Sequence, residues 1–269
     1  MKKIGIVGCG TIGSFLAKRI EKDFKASSKL VGICDIDNNK AKALADNLSK
    51  KVEILSLEKL ADKSDLIIEA ASGSACPDVC KKAIEKRKDV MVMSIGGLIG
   101  REQLFSLARE RGSRIILPSG AICGLDGVKS AAAGKIKKVT LTTRKPPAGF
   151  KDAPHVLKNN IDLDNITQEK VIFEGTAEEA VAGFPKNVNV SAVLSLAGIG
   201  PKKTTVKIVT SPEYTVNTHE IEVEGDFGRL VTRTENVPFP GNPKTSFLAA
   251  LSALATLKQY IEGALSIGT

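Results

Sequence analysis

Three glycines and an aspartate carry the first chemistry in this sequence. In Lys3-Ile-Gly-Ile-Val-Gly-Cys-Gly-Thr-Ile-Gly13, the apolar run Ile4, Ile6, Val7 reads as a buried strand. Phe15, Leu16, Ile20 and Phe24 then recur at helical spacing, with Lys18, Arg19, Glu21 and Lys22 between them. A G-x-G-x-x-G triplet in that context fits a pyrophosphate: Gly8 for the tight turn, Gly10 for close approach to the backbone, Gly13 for helix–strand packing. The free N–H groups of the first helical turn, around Thr11 and Ile12, and the positive end of the helix dipole face the phosphates. Asp35 ends the next apolar run, Leu30–Cys34, 22 residues after Gly13 (13 to 35). That is the place for a carboxylate bonded to a ribose 2′-OH, and its charge repels a 2′-phosphate. NAD is therefore the expected cofactor; Lys40 and Lys42 lie close enough to leave NADP open.

Of the two histidines, His155 sits in a polar loop and reads as solvated surface. In Thr218-His-Glu-Ile-Glu-Val-Glu224, alternation puts His219, Ile221 and Val223 on one sheet face and the glutamates on the other, toward water. His219 is then either a hydrogen-bonded core residue or a general acid/base with a pKa near working pH. Oxidation of an alcohol or amine by NAD needs such a group, because a proton must leave the nitrogen or oxygen as hydride leaves the carbon. No Ser–His–Asp pattern, metal-ligand cluster or phosphate-binding lysine motif competes, and no metal is expected.

Five scattered cysteines, with no C-x-x-C pair, point to reduced thiols; Cys76 and Cys80 are expected to pack against a sheet. The formal charge is +9, but aromatics make up 4% and no basic block is interleaved with stacking residues, which argues against nucleic-acid binding. A basic surface that draws in an anionic substrate and cofactor fits instead. No apolar run reaches the roughly 18 residues a membrane span needs. The N-terminus enters the first strand without a signal peptide, so a cytoplasmic location is expected.

These residues need a scaffold. Strands are expected at Ile4–Val7, Leu30–Cys34, Val52–Ile54, Leu66–Ala70, Val90–Ser94 and Arg114–Pro118, with helices between them. This alternation predicts an α/β Rossmann-type parallel-sheet nucleotide domain over residues 1–121. Ligands sit at the carboxyl ends of such strands, here Gly8–Gly13, Asp35, Ala71-Ser72-Gly73, Ser94–Gly97 and Ser119–Ala121. Alternating runs at 138–144, 205–210, 218–224 and 228–236, with helices at 176–183 and 187–197, predict an α+β second domain with an antiparallel sheet over residues 122–241. Pro238–Pro243 is expected to break structure. Residues 242–269 then hold an apolar helix, expected to pack back on the nucleotide domain or in a homodimer interface.

Seven stretches in this order resemble the L-aspartate dehydrogenase family: Gly8-Cys-Gly-Thr-Ile-Gly13, Ser119-Gly-Ala-Ile-Cys-Gly-Leu-Asp126, Leu141-Thr-Thr-Arg-Lys145, Val171-Ile-Phe-Glu-Gly175, Phe184-Pro-Lys-Asn-Val-Asn-Val190, His219-Glu-Ile and Asn242-Pro-Lys-Thr-Ser246. The resemblance implies oxidative deamination of L-aspartate with NAD(P), through iminoaspartate, to oxaloacetate and ammonia, with the imine able to feed NAD biosynthesis. It also implies His219 as the active-site histidine and Ala121 and Asn187 as cofactor contacts. Cys123 stands where the family more often has glycine. A dicarboxylate needs cationic or multi-donor partners, for which Lys186, Arg144, Lys244, Thr245 and Ser246 are candidates. Competing readings are another two-domain reductase, dihydrodipicolinate-reductase-like or homoserine-dehydrogenase-like, and a non-catalytic NAD sensor.

Overall fold

The structure is a computed structural model that describes residues 1–185 and 189–264, with the backbone alone at 243 and 244. The chain divides into two compact units: Met1–Pro118 together with the chain from Ala250, and Ser119–Ala249.

The first unit runs β1 (Lys2–Val7), α1 (Thr11–Asp23), β2 (Ser28–Cys34), α2 (Asn38–Asp46), α3 (Leu57–Lys63), β3 (Leu66–Glu69), α4 (Cys76–Glu85), β4 (Asp89–Val92), α5 (Glu102–Arg111) and β5 (Ile115–Ile116). Its sheet has the order β2-β1-β3-β4-β5, and every pairing is parallel. The strand expected at 52–54 is absent. Only Ile54 bridges Ile33, because the chain leaves the sheet at once to start α3, which Ser56 caps. The core joins Ile4, Ile6, Leu16, Ile20, Ile33, Leu66, Ile68 and Met91 with Ala253 and Leu257 from the helix over Phe247–Glu262. Each large aliphatic side chain so buried contributes about 1.5–3 kcal/mol. Cys76 and Cys80 are fully buried on α4, as their spacing predicted.

The second unit contains α6 (Leu125–Ala132), β6 (Ile136–Lys145), α7 (Pro154–Lys158), β7 (Lys170–Thr176), α8 (Ala177–Gly183), α9 (Asn189–Ala197), β8 (Thr205–Thr210), β9 (Asn217–Gly225), β10 (Gly228–Asn236), β11 (Pro238–Phe239) and β12 (Asn242–Ser246), and α10 (Phe247–Glu262) begins in it. The sheet order is β10-β9-β6-β8-β7. It is mixed rather than antiparallel, because β6 and β8 pair in parallel. The long excursion through β7, α8 and α9 supplies the crossover that a parallel pair requires. Thr176 and Glu179 close a reciprocal capping box at the start of α8. The segment expected to break structure folds as the β11–β12 hairpin, with Gly241 at φ +79 in its turn. His155 is not free surface: its ring lies 5.2 Å from those of Phe173 and Phe184. No described helix is long and apolar enough to cross a membrane.

Candidate functional site

The glycine turn has the backbone its spacing predicts. Gly8 adopts φ +98, and a Cβ there would lie 2.4 Å from the Ala70 carbonyl. A Cβ on Gly13 would lie 1.9 Å from Gly8 O, so α1 packs as close to β1 as a helix can. Gly10 differs: a Cβ there would meet nothing within 4 Å. Its backbone is bare toward open space, and as N-cap of α1 it offers no side-chain cap to the first-turn N–H groups around Thr11 and Ile12. A turn of this shape fits a phosphate. Asp35 borders it, with Oδ2 accepting from Cys9 N at 2.6 Å and Oδ1 from Asp37 N at 2.8 Å. The turn and carboxylate fit a dinucleotide.

The loops after β3 and β4 are tied together by a residue the sequence reading missed. Glu69 is fully buried; Oε1 accepts from Ala71 N at 2.9 Å and Oε2 from Ser94 N at 3.0 Å. Burial raises its pKa, and these hydrogen bonds pull the other way. The carboxylate fixes the backbone at Ala71 and Ser94, and Gly73 touches Gly97 closely enough that a Cβ on Gly97 would lie 2.3 Å from Gly73 O. An acidic residue ending the apolar run Leu66-Ile-Ile was the available signal.

In the second unit, register assembles the polar groups. Thr234 pairs with His219 across β10–β9, His219 with Thr143 across β9–β6, and Thr143 with Ile208 across β6–β8. One row further along lie Asn236, paired with Asn217, and Lys145, paired with Thr210. In the opposite direction the same face is apolar, with Ile221, Leu141 and Val206 buried in line. The inner face thus changes from core to polar cluster within one residue pair.

His219 is 3% exposed, on the buried face as its alternation predicted, and Nδ1 lies 3.0 Å from Thr143 Oγ1. Burial, and then the charge of Lys145, push its pKa down to about 3, so the ring is neutral at neutral pH. Lys145 is itself buried, and desolvation lowers its pKa to about 8. The Ala121 carbonyl accepts from Thr234 Oγ1 at 2.8 Å and Asn236 Nδ2 at 3.1 Å, and the Cys123 carbonyl from Thr232 Oγ1 at 3.2 Å. Side chains at alternate positions of β10 thus hold the Ala121–Cys123 loop beside the His219 row. Alternation in 228–236 was the signal that could have found them.

Arg144 lies on the opposite face, 3.7 Å from Glu220, and is not brought to His219. Lys186, Asn187 and the Lys244 side chain lie outside the described residues. Thr245 and Ser246 belong to β12, ahead of α10 rather than in its first turn; Ser246 is buried and Thr245 half-buried. Among the described residues no group of three or more His, Cys, Asp or Glu is placed to hold a metal ion.

Comparison with known proteins covers both units. Residues 8–118 match the family described as homoserine dehydrogenase, NAD binding domain. Residues 126–260 match the family described as aspartate dehydrogenase, C-terminal. The L-aspartate dehydrogenases of Methanosarcina mazei and Methanococcoides burtonii are 45% and 48% identical, each aligned over all of both chains. The crystal structure of aspartate dehydrogenase from Thermotoga maritima superposes with a TM-score of 0.77 at 25% identity, again over all of both chains. A bare-glycine turn with its carboxylate, a buried histidine row and full-length likeness agree: this chain belongs to the L-aspartate dehydrogenase family.

Proposed function

We propose that this chain catalyses the NAD(P)-dependent oxidative deamination of L-aspartate, through iminoaspartate, to oxaloacetate and ammonia. The carrying observation is the likeness to L-aspartate dehydrogenases over the whole chain, which spans the cofactor unit and the unit that holds His219. Gly8, Gly10, Thr11, Ile12, Gly13 and Asp35 hold the dinucleotide, with the backbone at Ala71 and Ser72 and, outside the first unit, Ala121 and Asn187. Bound there, NAD(P) supplies the acceptor for the hydride that leaves the substrate Cα. Asp35 favours NAD through its ribose hydroxyls.

His219 takes the proton from the substrate nitrogen. Its base-competent tautomer has Nδ1–H donating to the Thr143 hydroxyl, which leaves the Nε2 lone pair for the substrate. Burial keeps water from competing for that lone pair. The imine then hydrolyses, and we assign the chain the further role of supplying iminoaspartate to NAD biosynthesis. A cytoplasmic homodimer is the form we expect.

The test is NADH oxidation by the purified chain with oxaloacetate and ammonia, each omitted in turn. Turnover that needs both supports the reading. Turnover only with dihydrodipicolinate-type or homoserine-type substrates overturns it, and NADH binding without any turnover points to a sensor.

A further inference from the structure

Among the described residues Glu69 is the one acidic side chain that is buried, and it ends an otherwise apolar strand. Burying a carboxylate is unfavourable unless donors answer it, and an apolar side chain of the same size often serves stability as well. Its donors point to a different use. Oε1 takes the N–H of Ala71, in the loop after β3, and Oε2 that of Ser94, in the loop after β4. A carboxylate presents two acceptor oxygens and no donor, so one side chain can serve both loops; two accepting oxygens are the bonding pattern of the ionised form.

The two loops stand where the far half of a dinucleotide belongs. Along the carboxyl edge of the sheet the order is β2, β1, β3, β4. Asp35 follows β2 and takes the adenosine ribose, and Gly10 follows β1 and takes the pyrophosphate, so the nicotinamide half continues toward β3 and β4. The β3 loop abuts the glycine turn: a Cβ on Gly8 would lie 2.6 Å from Ala71 N. The β3 and β4 loops touch one another at Gly73 and Gly97, and each runs straight into helix. Ser72 O accepts from Ala75 N and Cys76 N at the start of α4, and Ser94 O accepts from Gly97 N. Glu69 thus sits beneath a continuous chain of backbone contacts from the glycine turn to the β4 loop.

We propose that Glu69 is a positioning residue for the nicotinamide half of the cofactor, its carboxylate setting the spacing of the β3 and β4 loops so that their backbone is shaped for that half before it binds. The proposal rests on the reading above only in the placement of the dinucleotide, not in the identity of the substrate. Being fully buried, Glu69 acts through Ala71 and Ser94 rather than by contact. Loops that are already ordered lose less freedom on binding, so they add affinity for the part of the ligand they face and for no other part.

The test is calorimetric titration of NADH, and of ADP, which lacks the nicotinamide half, into wild type, Glu69→Gln and Glu69→Met. A glutamine amide keeps one acceptor and turns its NH2 toward the other N–H, so one loop is released; methionine releases both. Glu69→Gln is expected to weaken NADH about tenfold and Glu69→Met about 100-fold, as loss of one and of two hydrogen bonds to a charged group does. ADP affinity stays within about twofold in both, because Gly10 and Asp35 are untouched. Amide exchange at Ala71 and Ser94, followed by NMR, reads the role directly. It is slow at both in wild type, fast at one in Glu69→Gln, and slowed further by NADH but not by ADP. Equal losses for NADH and ADP, which a merely destabilised fold would give, overturn the proposal, as does unchanged NADH affinity in Glu69→Gln. Should both variants fail to fold, wild-type exchange decides: protection at Ala71 and Ser94 that NADH leaves unchanged, or that ADP raises equally, overturns it. Every readout is of binding, so a chain that shows them yet turns over no aspartate would reject the functional reading and leave Glu69 in this role.

Discussion

At the carboxyl ends of β1 to β4 the ligand-facing groups are backbone atoms laid bare by glycine, whereas on the inner face of the second sheet they are side chains gathered by register. The first arrangement is local. Gly8, Gly10 and Gly13 lie within one turn, and Asp35 joins them through a single hydrogen bond to Cys9 N. The second is long-range. Thr143 and His219 are 76 residues apart in sequence and meet only because β6 and β9 pair as they do. Backbone sites fail when a Cβ is added; side-chain sites fail when a functional group is removed. The two regions therefore predict opposite kinds of sensitivity.

The largest expected effect is at the side-chain site. His219→Ala should lower kcat by about 10²–10⁴, the usual contribution of a positioned acid/base, while NADH still binds. Stopped-flow turnover beside NADH fluorescence titration measures both, and near-normal kcat would remove His219 from the mechanism. The glycine turn answers next, and its members should part company. Gly13→Ala drives a methyl into Gly8 O and should cost about 3 kcal/mol of stability, read by urea denaturation. Gly10→Ala meets open space at an ordinary φ of −76, so stability should hardly change. NADH affinity should fall at least about tenfold, or about 1.4 kcal/mol. Equal stability losses in the two variants would mean that the turn is only a fold element.

An effect spread over several pH units appears in the pH dependence of stability. The folded pKa of His219 is lowered from 6.5 to about 3. Between those values the unfolded chain binds the extra proton, so stability is full above 6.5 and falls as pH drops toward 3. The loss from this residue is on the order of 4 kcal/mol across the window. His219→Gln should flatten the acid limb of stability against pH; parallel curves for the two proteins would contradict the burial argument.

Much of the first unit was legible because its signals are short-range: strand, glycines, helix and a carboxylate about 20 residues on. Its one misread strand, 52–54, had the right composition but too few residues before Ser56 began α3. In the second unit alternation identified the strands and the buried side of His219. It could not say which strands pair, or that β6 and β8 run parallel. That ignorance hid the partners. Lys145 lies inside the Leu141–Lys145 stretch, while Arg144 beside it is one of the five residues expected from the sequence to meet the substrate carboxylates. A one-residue step along a strand reverses the face, and only the pairing of Thr143 with His219 shows which of the two is on the chemical side.

The sequence by itself determined that a dinucleotide turn opens the chain, that its acidic partner follows at the end of the next strand, and that His219 is buried. These are properties of residue type and of periods of two and 3.6, which need no distant contact. Tertiary structure alone decided that Glu69 holds the Ala71 and Ser94 loops, that Thr234 and Asn236 hold the Ala121 carbonyl, and that Lys145 rather than Arg144 shares the face of His219. Hydrogen bonds and buried charge depend on which strands become neighbours, and that is fixed by the packing of the whole unit.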